Sequence, residues 1–318
     1  MRGMTTALTF TGERFLPNLA GEMWAEHWHR YHFVLPLIKG KKVLDVASGE
    51  GYGSALMADT ACSVTGVDVS RDAVAHANAA YPAKRNLNFI EGSCAKLPFN
   101  DATFDVVVSY ETIEHIEEQQ EFLDEIKRVL LPSGMLIMSS PNRAEYSDAR
   151  GYTNEFHVKE LYRAQLADLL VARFNCLSWF SQRNAFVSMI VPEALEVPGT
   201  VAVAGGETRT ISKANPQTLA PALPALYFLV VATNDGTAMD RLTPRLSVFT
   251  DSEEWAYDDY RQSYQAMHSA AKREAVLEAR CVTLQQQIAA LEAAAHAARL
   301  SAPPAQSWLA RLRKRLSS

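Results

Sequence analysis

The residue types best suited to chemistry begin at Asp45. The stretch Val43-Leu44-Asp45-Val46-Ala47-Ser48-Gly49-Glu50-Gly51-Tyr52-Gly53 runs from an apolar strand into a glycine-rich turn that opens a helix. Glycines let the backbone take positive φ and come close to a ligand. A dinucleotide pyrophosphate wants G-x-G-x-x-G at such a turn. Here the third glycine is Gly53, and position 54 is Ser54. Asp45, four residues before Gly49, adds an anion that suits a cationic amine better than a pyrophosphate. A second acid, Asp68, ends the run Val64-Thr65-Gly66-Val67. Further on, Glu111 and His115 are four apart and would share a face if helical. Histidine titrates near neutrality, so His115 and then His157 are the natural general bases for a hydroxyl. Their structural alternatives are a helix-start acid near the dipole and hydrogen-bonded histidines. No D-x-D or Asp cluster lies nearby, so no metal is expected.

Strand ends must hold these groups. Short apolar runs occur at Val43 to Val46, Val64 to Val67, Leu87 to Ile90, Phe104 to Ser109 and Met135 to Ser140. Each has the character of a strand buried on both faces. Arg71 to Tyr81 and Ile116 to Leu130 read as helices between them. This alternation predicts a doubly wound α/β fold with a mostly parallel sheet. Prolines and glycines from about 192 to 225 mark an irregular insertion, and Tyr227 to Thr233 returns the chain to the sheet.

The 318 residues are 48% hydrophobic and 21% charged, a globular balance that excludes a disordered or collagen-like chain. A net charge of -5 gives no basic excess, so no nucleic-acid partner is expected. The four cysteines form no C-x-x-C pair, which fits a reducing compartment. No leader-like or bilayer-spanning apolar segment is visible, so a cytoplasmic location is expected.

The glycine turn and its companions resemble the class I S-adenosylmethionine (SAM) dependent methyltransferases. Asn88-Phe89-Ile90-Glu91-Gly92-Ser93-Cys94 is similar to the family's adenine-side segment. Phe104 to Ser109 with Glu111-Thr112-Ile113-Glu114-His115-Ile116 is similar to its fourth motif. Arg128-Val129-Leu130-Leu131-Pro132-Ser133-Gly134 completes a likeness over about residues 30 to 190. The resemblance implies SAM as cofactor, held by Asp45, Ala47, Gly49, Gly51, Asp68, Val69, Ser93 and Cys94. Many relatives carry an acid where this chain has Ser93. Arg30 and Tyr31 suit the methionine carboxylate, or equally a plain surface helix with a buried tyrosine.

Three flanking segments, Thr11-Gly12-Glu13-Arg14-Phe15-Leu16-Pro17, Glu26-His27-Trp28-His29-Arg30-Tyr31 and Asn154-Glu155-Phe156-His157-Val158-Lys159-Glu160-Leu161, together resemble methyltransferases of bacterial surface-polysaccharide (O-antigen or capsule) clusters. They imply O-methylation of a glycan or lipid-linked glycan, beside polysaccharide glycosyltransferases. Small-molecule methylation, of a quinone or polyketide, is the enzymatic alternative. A non-catalytic assembly protein and an NAD-dependent sugar enzyme are the others.

The expected division is an N-terminal cofactor-covering segment 1–35, a methyltransferase domain 36–250, a coiled coil 252–300 and a basic amphipathic tail 301–318. Leu277, Cys281, Leu284, Ile288, Leu291, Ala295 and Ala298 alternate spacings of four and three, an a/d seam. A homo-oligomer is expected through it, the alternative being an Ala-rich helix folded back on the domain. Trp308, Leu309, Leu312 and Leu316 interleave with basic residues, so peripheral contact with the inner membrane is expected.

Overall fold

The computed structural model describes residues 21–185, 211–212, 215–219, 223–239, 247–249 and 255–301, with 313, 315 and 316. The Thr11–Pro17 motif, most of the 192–225 insertion and most of the tail lie outside the described residues. The chain divides into two compact units, Met1–Thr250 and Asp251–Ser318.

The first unit is built on a seven-stranded sheet of order β3-β2-β1-β4-β5-β9-β6. Its strands are β1 (Lys42–Val46), β2 (Ser63–Asp68), β3 (Leu87–Glu91), β4 (Phe104–Ser109), β5 (Leu130–Pro141), β6 (Cys176–Gln182) and β9 (Tyr227–Thr233). The five from β3 to β5 are parallel. Strand β9 lies antiparallel between β5 and β6. A separate two-stranded ribbon pairs β7 (Ile211–Ser212) with β8 (Asn215–Leu219). The sheet is thus Rossmann-like, mostly parallel with a reversed strand near one edge.

Alternation within strands explains why both faces are covered. Leu44, Val107, Leu136 and Val230 enter one core with Phe122, Leu123 and Ile126 of α4 (Gln119–Val129) and Leu166 of α5 (Arg163–Val171). Their neighbours Val43, Val106, Ile137 and Val231 enter the other, with Val34 of α1 (Glu22–Val34) and Met57 of α2 (Tyr52–Met57). Side chains point alternately to opposite faces of a strand, so continuous apolar runs need helices on both sides. The helix α3 (Arg71–Ala80) is capped by Ser70, whose hydroxyl accepts from the Ala73 amide at 3.3 Å. A short turn, α6 (Gly236–Met239), follows β9.

Two sequence expectations change. The segment 176–182 did not read as a strand, and it is one, β6, because pairing with β9 supplies its ladder. The helix expected from Ile116 begins only at Gln119.

The second unit contains α7 (Trp255–Ser301), 47 residues long. At 1.5 Å per residue it spans about 70 Å. The seam residues Leu277, Leu284, Ile288 and Leu291 are all exposed on it. No helix of the described residues is long and apolar enough to cross a membrane.

Candidate active site

The C-terminal ends of β1, β2, β4 and β5 carry the residues that the sequence singles out, where open α/β sheets place their ligands. The turn after β1 is tightly wound: Ala47, Gly49 and Gly51 all have positive φ, at 61°, 55° and 90°. Asp68, at the end of β2, braces it. Its Oδ2 accepts from the Gly49 amide and its Oδ1 from the Ser70 amide, each at 2.8 Å. Each carboxylate oxygen keeps a second lone pair for a ligand hydroxyl. A Cβ at Gly49 would meet nothing within 4 Å, so this glycine faces open space.

The other two glycines serve packing. A Cβ at Gly51 would lie 2.6 Å from the Phe89 ring. One at Gly53 would lie 2.0 Å from the Tyr31 ring. That contact explains why a glycine stands at 53 and not at the dinucleotide position 54. A side chain at Gly51 would therefore point at Phe89 and Ala77, and only its backbone is left to meet a ligand.

Asp45 is buried, and its carboxylate receives the Ser54 hydroxyl at 2.5 Å and the Tyr31 hydroxyl at 3.4 Å. Burial pushes its pKa up to about 7 against the pull of these two donors. Tyr31 thus points its hydroxyl at Asp45, whereas the sequence suggests a methionine carboxylate as its partner. Arg30 remains suited to that role. Its guanidinium is buried, donates through Nε to Gln182 at 2.6 Å and sits 4.5 Å over the Tyr227 ring. Nη1 lies 3.6 Å from Glu111 Oε1. Neither Nη1 nor Nη2 has a hydrogen-bond partner among the described residues. Buried donors of this kind are costly unless an anion meets them. Of the residues expected on the adenine side, Val69 is an exposed apolar side chain and Cys94 is half-buried against the core. Ser93 is exposed, and its hydroxyl accepts from the Ala95 amide at 3.3 Å. These residues together fit SAM: an open glycine, an acid for ribose hydroxyls and a cation for a carboxylate.

The residues after β4 do not form the expected helix. Glu111 has φ 47°, and a short 3-10 turn, Ile113–His115, follows. Glu111 and His115 therefore do not share a helical face. Glu111 Oε1 accepts from Ser139 at 2.6 Å and faces Arg30. His115 instead turns toward the loop after β5. Its Nδ1 is 3.0 Å from the Phe156 carbonyl, and its ring meets the His157 ring edge-on at 4.9 Å. His157 Nδ1 is 2.6 Å from Glu160 Oε1. The Lys159 amide donates to the Glu114 carbonyl at 3.0 Å, and Gln119 Nε2 donates to Lys159 and Ile113 carbonyls. The two histidines are thus held together by a stitched pair of loops. Burial lowers the His157 pKa below its usual value, the Glu160 hydrogen bond opposing this. Glu114 is fully buried, and burial together with Glu111 holds its carboxyl well above the ordinary range.

Residues 44–138 match the family model described as a methyltransferase domain. The chain is 41% identical over 173 residues to a probable S-adenosylmethionine-dependent methyltransferase of Mycolicibacterium smegmatis, covering 52% of this chain and 65% of that protein. A probable S-adenosylmethionine-dependent methyltransferase of Mycobacterium tuberculosis is 40% identical over 170 residues, covering 52% and 60%. The matches therefore span less than two thirds of either relative. A crystal structure of a Pyrococcus horikoshii protein has TM-score 0.49 and 22% identity, covering 71% of this chain and 100% of that one.

Five site residues escaped sequence reasoning. Ser54, Ser139 and Gln182 are polar residues inside elements, which periodicity marks only as interruptions. Glu160 stands three residues after His157, and Glu114 adjoins His115. Both spacings were visible, but only the folded loops show that they meet.

Proposed function

We propose that this chain is a SAM-dependent methyltransferase acting on an oxygen of a small or lipid-like acceptor. The carrying observation is the placement of the open Gly49 turn, braced by Asp68, and the Glu114–His115–His157 cluster at neighbouring strand ends. Relatives named as S-adenosylmethionine-dependent support the cofactor.

SAM supplies a methyl group on a sulfonium, already a good electrophile. The protein then has to orient an acceptor in line with it and keep the acceptor oxygen electron-rich. Arg30 anchors the cofactor's carboxylate and Asp68 its ribose. His115 and His157 face the acceptor side and handle the hydroxyl proton. An amine acceptor, which carries its own lone pair, would need no such group.

The polysaccharide acceptor expected from the flanking motifs gains no support from the relatives. A Schizosaccharomyces pombe relative is a ubiquinone biosynthesis O-methyltransferase, 37% identical over 110 residues and covering 33% of this chain and 39% of that protein. The small-molecule alternative is therefore preferred. For the second unit we propose a coiled coil between copies of the chain, supported by the exposed seam of α7. Reversible docking of the basic tail on the inner membrane remains part of the same proposal.

Calorimetry with SAM and with NAD tests the cofactor, and SAM should bind where NAD does not. Turnover on hydroxylated quinones, fatty acids and sugar nucleotides tests the acceptor. Methylation of the sugars alone would overturn the acceptor class, and NAD binding alone would overturn the enzyme class.

A further inference from the structure

Glu114 is a buried carboxyl group. Its side chain is 0% exposed, and both oxygens lack a hydrogen-bond partner among the described residues. A buried acid without a hydrogen-bond partner is stabilised by a proton or by a nearby cation. His115 Nε2 lies 3.9 Å from Glu114 Oε1. One donor atom each of Glu114, His115 and His157 lies within 4.8 Å of the others.

Both histidines are oriented from behind. His115 Nδ1 faces the Phe156 carbonyl at 3.0 Å, and His157 Nδ1 faces the Glu160 carboxylate at 2.6 Å. An N–H donated from Nδ1 makes Nε2 the ring nitrogen with a lone pair, a tautomer assigned from the bonding. This carboxylate or carbonyl behind each imidazole is the usual outer shell of metal-bound histidine. The Asn154 amide nitrogen lies 3.0 Å from His157 Nε2, and a cation would replace it on that lone pair. Glu111, balanced by Arg30 and bonded to Ser139, stays outside the set.

We propose that Glu114, His115 and His157 bind one divalent transition-metal cation, with Glu160 and the Phe156 carbonyl as positioning groups. Two imidazoles and one carboxylate suit zinc or iron(II) better than magnesium or calcium. Three protein ligands leave positions for water or an acceptor oxygen. The cation's role rests on the methyltransferase reading: it would bind the acceptor hydroxyl, lower its pKa and so supply the nucleophile. The two histidines then act as ligands in place of the proton-handling role given above, and the proton of the bound hydroxyl passes to solvent water. The expectation of no metal rested on missing Asp clusters, whereas this set forms only when the two loops meet.

The full chain, stripped with a chelator, should bind one Zn²⁺ by calorimetry. Co²⁺ should give visible d–d bands without the thiolate charge-transfer band that Cys62 or Cys281 would produce. Glu114→Gln and His157→Ala should each weaken binding by at least the factor expected for Glu160→Gln, about 10–100-fold. Circular dichroism reports whether each variant is folded, and SAM titration of the same samples tests the enzyme reading. If Glu114→Gln does not fold, His157→Ala decides alone. Absence of saturable binding in the parent, a thiolate band, or unchanged affinity in a folded variant would overturn the site. A chain that binds zinc but not SAM keeps the site and loses the enzyme reading. A chain that binds SAM but not zinc does the reverse.

Discussion

Arg30, on the first helix, and Glu111, after the fourth strand, form an ion pair of 3.6 Å although eighty residues of sequence lie between them. Burial disfavours the Arg30 charge, and Glu111, Tyr227 and Glu26 together more than offset this. Replacing Arg30 with Met leaves Glu111 without its counter-charge. Loss of one partner of a buried pair costs about 3 kcal/mol or more. Urea unfolding of Arg30→Met should show that loss, and adding Glu111→Gln should recover part of it. SAM affinity should stay low in both, because the guanidinium itself is the proposed carboxylate anchor. Parental SAM affinity in the double variant would remove Arg30 from the cofactor site.

Asp68 and Gly49 meet through one hydrogen bond, so they can be tested as a pair. Asp68→Ala removes two amide acceptors and the ribose contact, each bond contributing about 1 kcal/mol. Gly49→Ala adds only a methyl group in open space, at a left-handed position that costs about 1–2 kcal/mol. Both variants should lose SAM affinity in calorimetry while keeping a cooperative thermal transition. Gly51→Val should instead unfold the domain, since its side chain would meet Phe89 and Ala77.

The Asp45 carboxyl has an ordinary value of 3.8 and a folded value of about 7, raised chiefly by burial. The folded chain thus holds this proton more tightly than the unfolded chain. The resulting stabilisation is complete below the unfolded value and is lost as pH rises through about 7. Glu26, raised by burial from 4.5 to about 7, acts in the same direction. Urea midpoints should therefore fall from pH 5 to pH 8 as both groups ionise, conditions about one unit outside the upper end of the window. Asp45→Asn should shrink that fall, and the residue left should shrink further in Glu26→Gln. A midpoint rising over the same range in the parent would contradict the assignment.

The exposed Leu277, Leu284, Ile288 and Leu291 make a narrow apolar line along α7. Single helices gain most of their stability from packing such a face. Light scattering should give an oligomer for the full chain and a monomer for a chain ending after Thr250. Leu284→Asp with Ile288→Asp should dissociate it and lower helicity by circular dichroism. A monomeric full chain would dispose of the coiled coil. Liposome binding unaffected by removal of residues 305–318 would dispose of the membrane contact.

Local sequence determined the frame of this protein. Val43 to Gly53 declares strand, turn and helix because apolar run length and glycine conformational freedom act over neighbouring residues. Asp45 and Asp68 were legible for the same reason, as acids that end buried strands. Runs such as Val106-Val107-Val108 required helices on both faces, and the fold supplies them. Tyr227 to Thr233 reads as a strand, but its antiparallel place between β5 and β6 depends on partners far along the chain. Long-range contact decided the rest. Glu111 and His115 have helical spacing, yet a left-handed Glu111 turns one to Arg30 and the other to His157. Tyr31 meets Asp45 only because Gly53 leaves room for its ring. The Glu114–His115–His157 cluster joins segments about forty residues apart in sequence, brought together by the Lys159 amide and the Gln119 side chain. Spacing along the chain carries the local rules of strands and turns, while the meeting of two loops depends on the sheet that places their roots side by side.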